Sequence, residues 1–136
     1  MKTLVLYYSY TGHTKKIAEE LATKESHDIA EIKDIYRPGK FKAYVSGCFA
    51  AMRGKAWPIQ SLEVSLASYD HIILLSPVWA GNPPPAVHAV LQQIPTGKTI
   101  SVKMISGGGE SKCKQLIKNI IEVKNGTLEN FEDIKA

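Results

Sequence analysis

Short apolar runs alternate along this chain with longer segments that carry a hydrophobic position every three or four residues. Residues 3–8, TLVLYY, are apolar throughout, as a strand buried on both faces of a parallel sheet would be. Residues 14–24 set Ile17, Ala18, Leu21 and Ala22 on one helical face. Residues 28–33, DIAEIK, alternate over a short span and predict an edge strand with Ile29 inward and Ile32 as a second inward candidate. Arg37-Pro38-Gly39 marks a turn. Phe41, Tyr44, Val45, Cys48, Phe49 and Met52 then recur at helical spacing over 41–53, with Gly54 as a C-cap, and this aromatic stripe reads as core. Residues 71–76, HIILLS, predict a second buried strand. Asn82 caps, and Pro83, Pro84 and Pro85 open, a helix through about Ile94, which Pro95 and Gly97 end. Residues 99–105 predict a further strand, and 110–123 a helix with Cys113, Leu116, Ile117, Ile120 and Ile121 inward. Residues 126–131 predict the last strand. The alternation predicts an α/β protein with a parallel sheet and right-handed crossovers.

The length, 136 residues, suits one domain over 1–136. Hydrophobic residues make up 44% and charged residues 22%, ordinary values for a soluble globular domain. No apolar run is long enough to cross a membrane. The opening MKTLVLYYSY breaks into polar residues without a small-residue cleavage site, so it reads as a strand and not a signal peptide. Cys48 and Cys113, two and far apart, fit free, buried thiols in a reducing cytoplasm and exclude a CxxC redox pair or a zinc cluster. The net charge is +4, and the Lys and Arg residues are spread without a run of five, so nucleic acid is not an expected partner.

Candidate chemistry concentrates where an open parallel sheet binds ligands, outside the carboxyl ends of its strands. Three such ends are rich in small, hydroxylic and aromatic residues. In the first, Ser9, Thr11 and Thr14 offer hydroxyls and Gly12 frees the backbone to turn into a helix N-terminus, where N–H groups and the dipole favour an anion. Lys15 and Lys16 occupy that first turn, where positive charge is disfavoured unless an anion offsets it. The second, SPVWAGNPPP, carries Trp79 where a large aromatic is buried or stacks on a ligand. The third, Ser106 to Gly109, admits close backbone approach to a flat group. Together they fit a ligand with a phosphate tail and a planar ring.

Sharper motifs are absent: no GxxxxGK[ST], no GxGxxG after the first strand, no Cys-x5-Arg, no acidic pair ending the first strand and no GxSxG. His13 is placed to touch an anion, whereas His27, His71 and His88 read as ordinary surface or strand-end histidines.

YYSYTGHT resembles the phosphate loop of flavodoxin-like proteins, which commonly reads SxTGxT. SPVWAGNPPPAV is similar to their PVWxGxPxP segment, SGGG matches their third flavin loop, and FKAYVSGCFAAMRGKAWPI resembles a helix ending in RGK in a bacterial subgroup. The resemblance runs in order over nearly the whole chain. It implies an open, doubly wound parallel sheet of five strands in the order 2-1-3-4-5, non-covalent FMN and one- or two-electron transfer, with no side chain needed as acid or base. By motif position Ser9, Tyr10, Thr11, Gly12, His13 and Thr14 would hold the phosphate. Pro77, Val78, Trp79, Ala80, Gly81 and Asn82 would run beside the flavin ring, mostly through backbone groups. Ser106, Gly107, Gly108 and Gly109 would close the other side, and Trp57 is a candidate for the ring edge. Two uses of the flavin fit: an FMN-dependent oxidoreductase, NAD(P)H-linked or not, and an electron carrier with a redox partner protein. The alternative is a chain of this fold that has lost FMN and acts as a binding or interaction domain.

The chain departs from this pattern in three places. His13 stands where a small polar residue is common. The pI near 9.0 contrasts with acidic electron-carrier flavodoxins, pointing to different partners and to a field that eases formation of an anionic reduced flavin. Residues 132–136, EDIKA, are too few for the family's last helix, and Ser101 and Lys103 face away from Ile100, Val102 and Met104. One face of that strand is therefore expected to be less buried, and a second copy could cover it as a homodimer.

Overall fold

A computed structural model describes residues 2–34, 59–108 and 111–136. Within them β1 (Thr3–Tyr7), β2 (Asp28–Glu31), β3 (His71–Pro77), β4 (Thr99–Ser106) and β5 (Thr127–Lys135) form one parallel sheet in the order β2-β1-β3-β4-β5. The connecting helices are α1 (His13–Glu25), α2 (Pro85–Gln93) and α3 (Lys114–Val123). The order runs one way from β1 to β2 and the other way from β1 to β3, so a topological switch point lies between β1 and β3. The helix expected over 41–53, with Cys48, and also Trp57 and Gly109, lie outside the described residues.

Alternation along each strand divides the core between two faces. Leu4, Leu6, Ile72, Leu74, Ile100, Val102 and Met104 are fully buried and pack against α2 and α3. The helices return Val87, Val90, Leu91, Ile117 and Ile121 to this layer, each stabilising the fold by roughly 1.5–3 kcal/mol through burial. On the opposite face Val5, Ile73, Leu75 and Ile105 pack with Ala18 and Ala22 of α1. Lys103 there pairs with Glu132 at 2.9 Å, and His71 Nε2 lies 2.8 Å from Ser101 Oγ and 3.5 Å from Glu129. The β4 face expected to be less buried thus carries polar side chains that satisfy one another.

Local chemistry sets the helix ends. Gly12, at φ 103°, turns the chain into α1, and Ser26, left-handed at φ 55°, closes it with its N–H on Ala22 and Thr23 oxygens. Pro84 and Pro85 fix the start of α2; Ile94, in front of Pro95, is forced into extended backbone and ends it.

Several expectations change. Ile29 is 39% exposed, whereas Ala30 and Ile32 are buried. The inward phase of β2 is thus carried by Ala30, because the α1 side is incompletely covered at this edge. Asn82 does not cap α2; it closes the turn before it. The helix expected over 110–123 begins only at Lys114, with Cys113 buried at its cap and Leu116 39% exposed. β5 runs on to Lys135 and takes up most of the segment expected to follow it. Its register skips Glu129 between the Ile100–Leu128 and Ser101–Asn130 pairs. This bulge puts Leu128 and Phe131, three apart, on the same face. His88 is buried, not at the surface, and its Nε2 has no hydrogen-bond partner among the described residues. Burial pushes its pKa below the ordinary histidine value.

Candidate functional site

The first loop leaves β1 at Tyr8, whose N–H donates to the Leu75 carbonyl (3.1 Å) and so ties it to β3. Gly12 N–H donates to Ser9 Oγ at 3.0 Å, which folds the loop back on itself. The left-handed conformation at Gly12 is one that L side chains rarely adopt. No side chain caps α1 and no acidic residue occupies its first turn, while Lys15 and Lys16 stand there exposed. The helix therefore presents its positive end to the crevice without internal compensation. Thr11, Gly12 and His13 are exposed, Ser9 and Tyr10 half-buried, and Thr14 is buried beneath them.

The second loop follows β3. Trp79 N–H donates to the Asn82 carbonyl (2.8 Å) and Asn82 N–H to the Trp79 carbonyl (3.0 Å). Ala80 at φ 52° and Gly81 at φ 81° occupy the two central positions, so this is a type I′ turn. Ala80 holds a strained conformation, and Asn82 Nδ2 supports it by donating to its carbonyl at 3.3 Å. Trp79 is only 3% exposed. Tyr8 and Tyr10 meet it edge-on, with centroids at 6.1 and 5.4 Å. Of this trio Tyr10 and not Trp79 keeps partial exposure at the crevice.

The third loop follows β4. Ser106 Oγ donates to the Gly108 carbonyl at 3.2 Å. Gly107 and Gly108 are exposed with no positive φ, and a Cβ on either would meet none of the described residues within 4 Å. Neither their backbone nor the packing of the described residues around them requires glycine there. Lys112 N–H donates to the Gly81 carbonyl at 2.7 Å, clasping the third connection to the second. Beyond it the Cys113 thiol is pushed up in pKa by burial, the signature of a packed thiol and not of a nucleophile.

The three loops thus meet at the carboxyl ends of β1, β3 and β4, over the switch point. Ser9 to Thr14, Pro77 to Asn82 and Ser106 to Gly108 stand in that one region. One neighbouring residue was not anticipated. Asp34, three residues beyond β2, accepts a 2.7 Å hydrogen bond from the Tyr8 hydroxyl through Oδ2, and its Oδ1 is buried with no partner among the described residues. Its sequence signal is an acid 22 positions after Gly12, at the end of the second strand. Among the described residues no group of histidine, cysteine and acidic side chains could hold a metal ion, and no helix is long and apolar enough to cross a membrane.

An open parallel sheet with its ligand crevice at a switch point defines a class of α/β proteins. The particular fold is flavodoxin-like. A flavoprotein in complex with FMN from Lactobacillus acidophilus NCFM superposes with a TM-score of 0.78 at 23% identity, covering 97% of this chain and 92% of that one. The apo-form of the flavoprotein from the same organism gives 0.72 at 25%, over 97% and 91%. Two-electron reduced Megasphaera elsdenii flavodoxin gives 0.61 at 17%, over 97% and 85%. No family model matches the chain, and no curated protein sequence matches it.

Proposed function

We propose that this chain binds FMN non-covalently in the crevice and works in electron transfer or oxidoreduction. The observation that carries the reading is the pairing of an uncapped, acid-free helix N-terminus with two glycines that nothing among the described residues requires. The first suits a phosphate; the second suits a flat ring at backbone distance. Solved structures of the same fold, among them one in complex with FMN, support the same ligand.

In this reading Ser9, Tyr10, Thr11, Gly12, His13 and Thr14 bind the phosphate through N–H groups and hydroxyls, and Lys15 and Lys16 add positive field. Pro77 to Asn82 and Ser106 to Gly109 form the walls beside the ring. The buried Trp79 acts as a support: it holds Tyr10 in place and keeps water from beneath the second loop. FMN, when bound, supplies the one- or two-electron chemistry. The donor is NAD(P)H or a redox partner protein, and the basic balance favours an acidic or phosphorylated one.

The test is the visible spectrum of the purified protein, followed by titration with FMN and riboflavin. Flavin bands near roughly 370 and 450 nm, or saturable uptake with riboflavin at least about tenfold weaker, support the reading. No uptake at about 100 μM FMN overturns it and favours an interaction domain. NAD(P)H oxidation with an added acceptor then separates oxidoreductase from carrier.

A further inference from the structure

A second recess lies beside the first loop, at the ends of β1 and β2. It measures about 270 Å³ and is lined by Tyr8, Ser9, Glu31, Lys33, Asp34 and Gln60 among others. Ser9 belongs both to this recess and to the phosphate-loop motif, so the two adjoin. The size lies just below the usual range for a whole small-molecule ligand, about 300–1,000 Å³, and suits one sugar ring.

Asp34 is held from several sides. Tyr8 donates to its Oδ2, Gln60 Nε2 donates to its carbonyl at 3.0 Å, and its backbone bridges Ile59. Gln60 N–H donates to the Lys33 carbonyl at 2.8 Å. A carboxylate oxygen fixed and buried without a donor is costly, and an unsatisfied one calls for a missing partner. That partner must donate a hydrogen bond. Lys33 is engaged elsewhere, 3.6 Å from Glu63. In the dinucleotide-binding open α/β sheets an anion site at the first β–α turn is joined to an acid about 20 residues further on, which takes a ribose hydroxyl. Here the pairing recurs without the GxGxxG sequence.

We propose that this recess is a ribose subsite, in which Asp34 Oδ1 accepts a hydrogen bond from a sugar hydroxyl of a dinucleotide. The inference rests on the FMN reading for what occupies the adjoining loop. Two sources carry the same sugar: the adenosine half of a flavin dinucleotide whose pyrophosphate lies on the loop, and an NAD(P)H-type donor docking beside bound FMN.

The experiment has two arms, each on the wild-type chain and on Asp34→Asn, which turns the acceptor into a donor without changing size. The first measures FMN and FAD binding to flavin-free protein by fluorescence quenching. FAD binding at least as tightly as FMN, with only FAD weakened roughly tenfold by the substitution, assigns the recess to a flavin dinucleotide. The second adds ADP-ribose to the FMN-loaded protein and follows the Gln60 side-chain amide by NMR. A saturable shift, lost in Asp34→Asn, assigns it to a pyridine dinucleotide. If the variant fails to fold, each arm is repeated on wild-type protein with the 2′-deoxyribose analogue, whose weaker binding then takes the place of the substitution. FMN binding with FAD excluded and no ADP-ribose shift overturns the subsite and leaves the FMN reading standing. Loss of all flavin binding, with an Asp34-dependent ADP-ribose shift on flavin-free protein, overturns the FMN reading and leaves the subsite.

Discussion

The two faces of the sheet are stabilised by different means. Under α2 and α3, strand after strand contributes a side chain with no exposure at all: Leu6, Ile72, Leu74, Ile100, Met104. On the α1 face the apolar layer runs from β1 and β3 to Ile105 of β4 and Ile134 of β5, and beside it lie the polar pairs Lys103–Glu132 and His71–Ser101. One face is held by excluding water, the other in part by polar side chains that match one another. The second loop rises directly from the strand with most of the fully buried positions, and its Trp79 is continuous with the apolar layer. The rigid half of the core thus supports the crevice wall, a useful arrangement where a ligand must find its site already formed.

Adjacent residues of β3 give the strongest test of this contrast. Leu74→Ala, on the α2/α3 face, should cost about 3 kcal/mol in urea unfolding, and Ile73→Ala about half of that, because its site can relax toward solvent. Equal losses would break the comparison. Next in size is the acid limb of the stability curve. The lowered His88 pKa means that the folded chain binds fewer protons there than the unfolded chain once the pH nears the ordinary value of about 6.5. Stability is therefore full above that pH and falls as pH drops through it toward the folded-state value. His88→Leu should flatten this limb in melts between about pH 7.5 and 5; an unaltered limb would show that His88 is not its source. On the polar face, Lys103→Met should change stability by less than about 1 kcal/mol, since Glu132 stays half-exposed. Smallest for the fold is Gly107→Val. With none of the described residues within 4 Å of its Cβ it should leave the unfolding midpoint where it was, within about 0.5 kcal/mol, while weakening FMN binding at least about tenfold. Unchanged FMN affinity would remove the third loop from the proposed site.

The sheet and the three loop clusters are legible in the sequence because they depend on local signals: continuous apolar runs for β1 and β3, and Gly12, Trp79 and Gly107 beyond the ends of β1, β3 and β4. What the sequence conceals depends on neighbours. The phase of β2 is easily misread because a buried Ala30 has less apolar signal than an exposed Ile29. The end of β5 is hidden by the bulge at Glu129, which sets Leu128 and Phe131 three apart and breaks the period of two. His88 sits between Val87 and Ala89, whose burial is the available clue. Asp34 gives no periodic signal; only its distance from Gly12 along the chain marks it.

Among the described residues β5 pairs only with β4, so its outer row of backbone groups has no described strand beside it. That row is short of apolar exposure: Glu129, Glu132, Asp133 and Lys135 are exposed along it, and the bulge bends it out of the flat form that templates strand addition. A second β5 laid against it in parallel would bring acid close to acid. Charges and a bulge set along a strand edge in this way disfavour its pairing with a strand of another molecule.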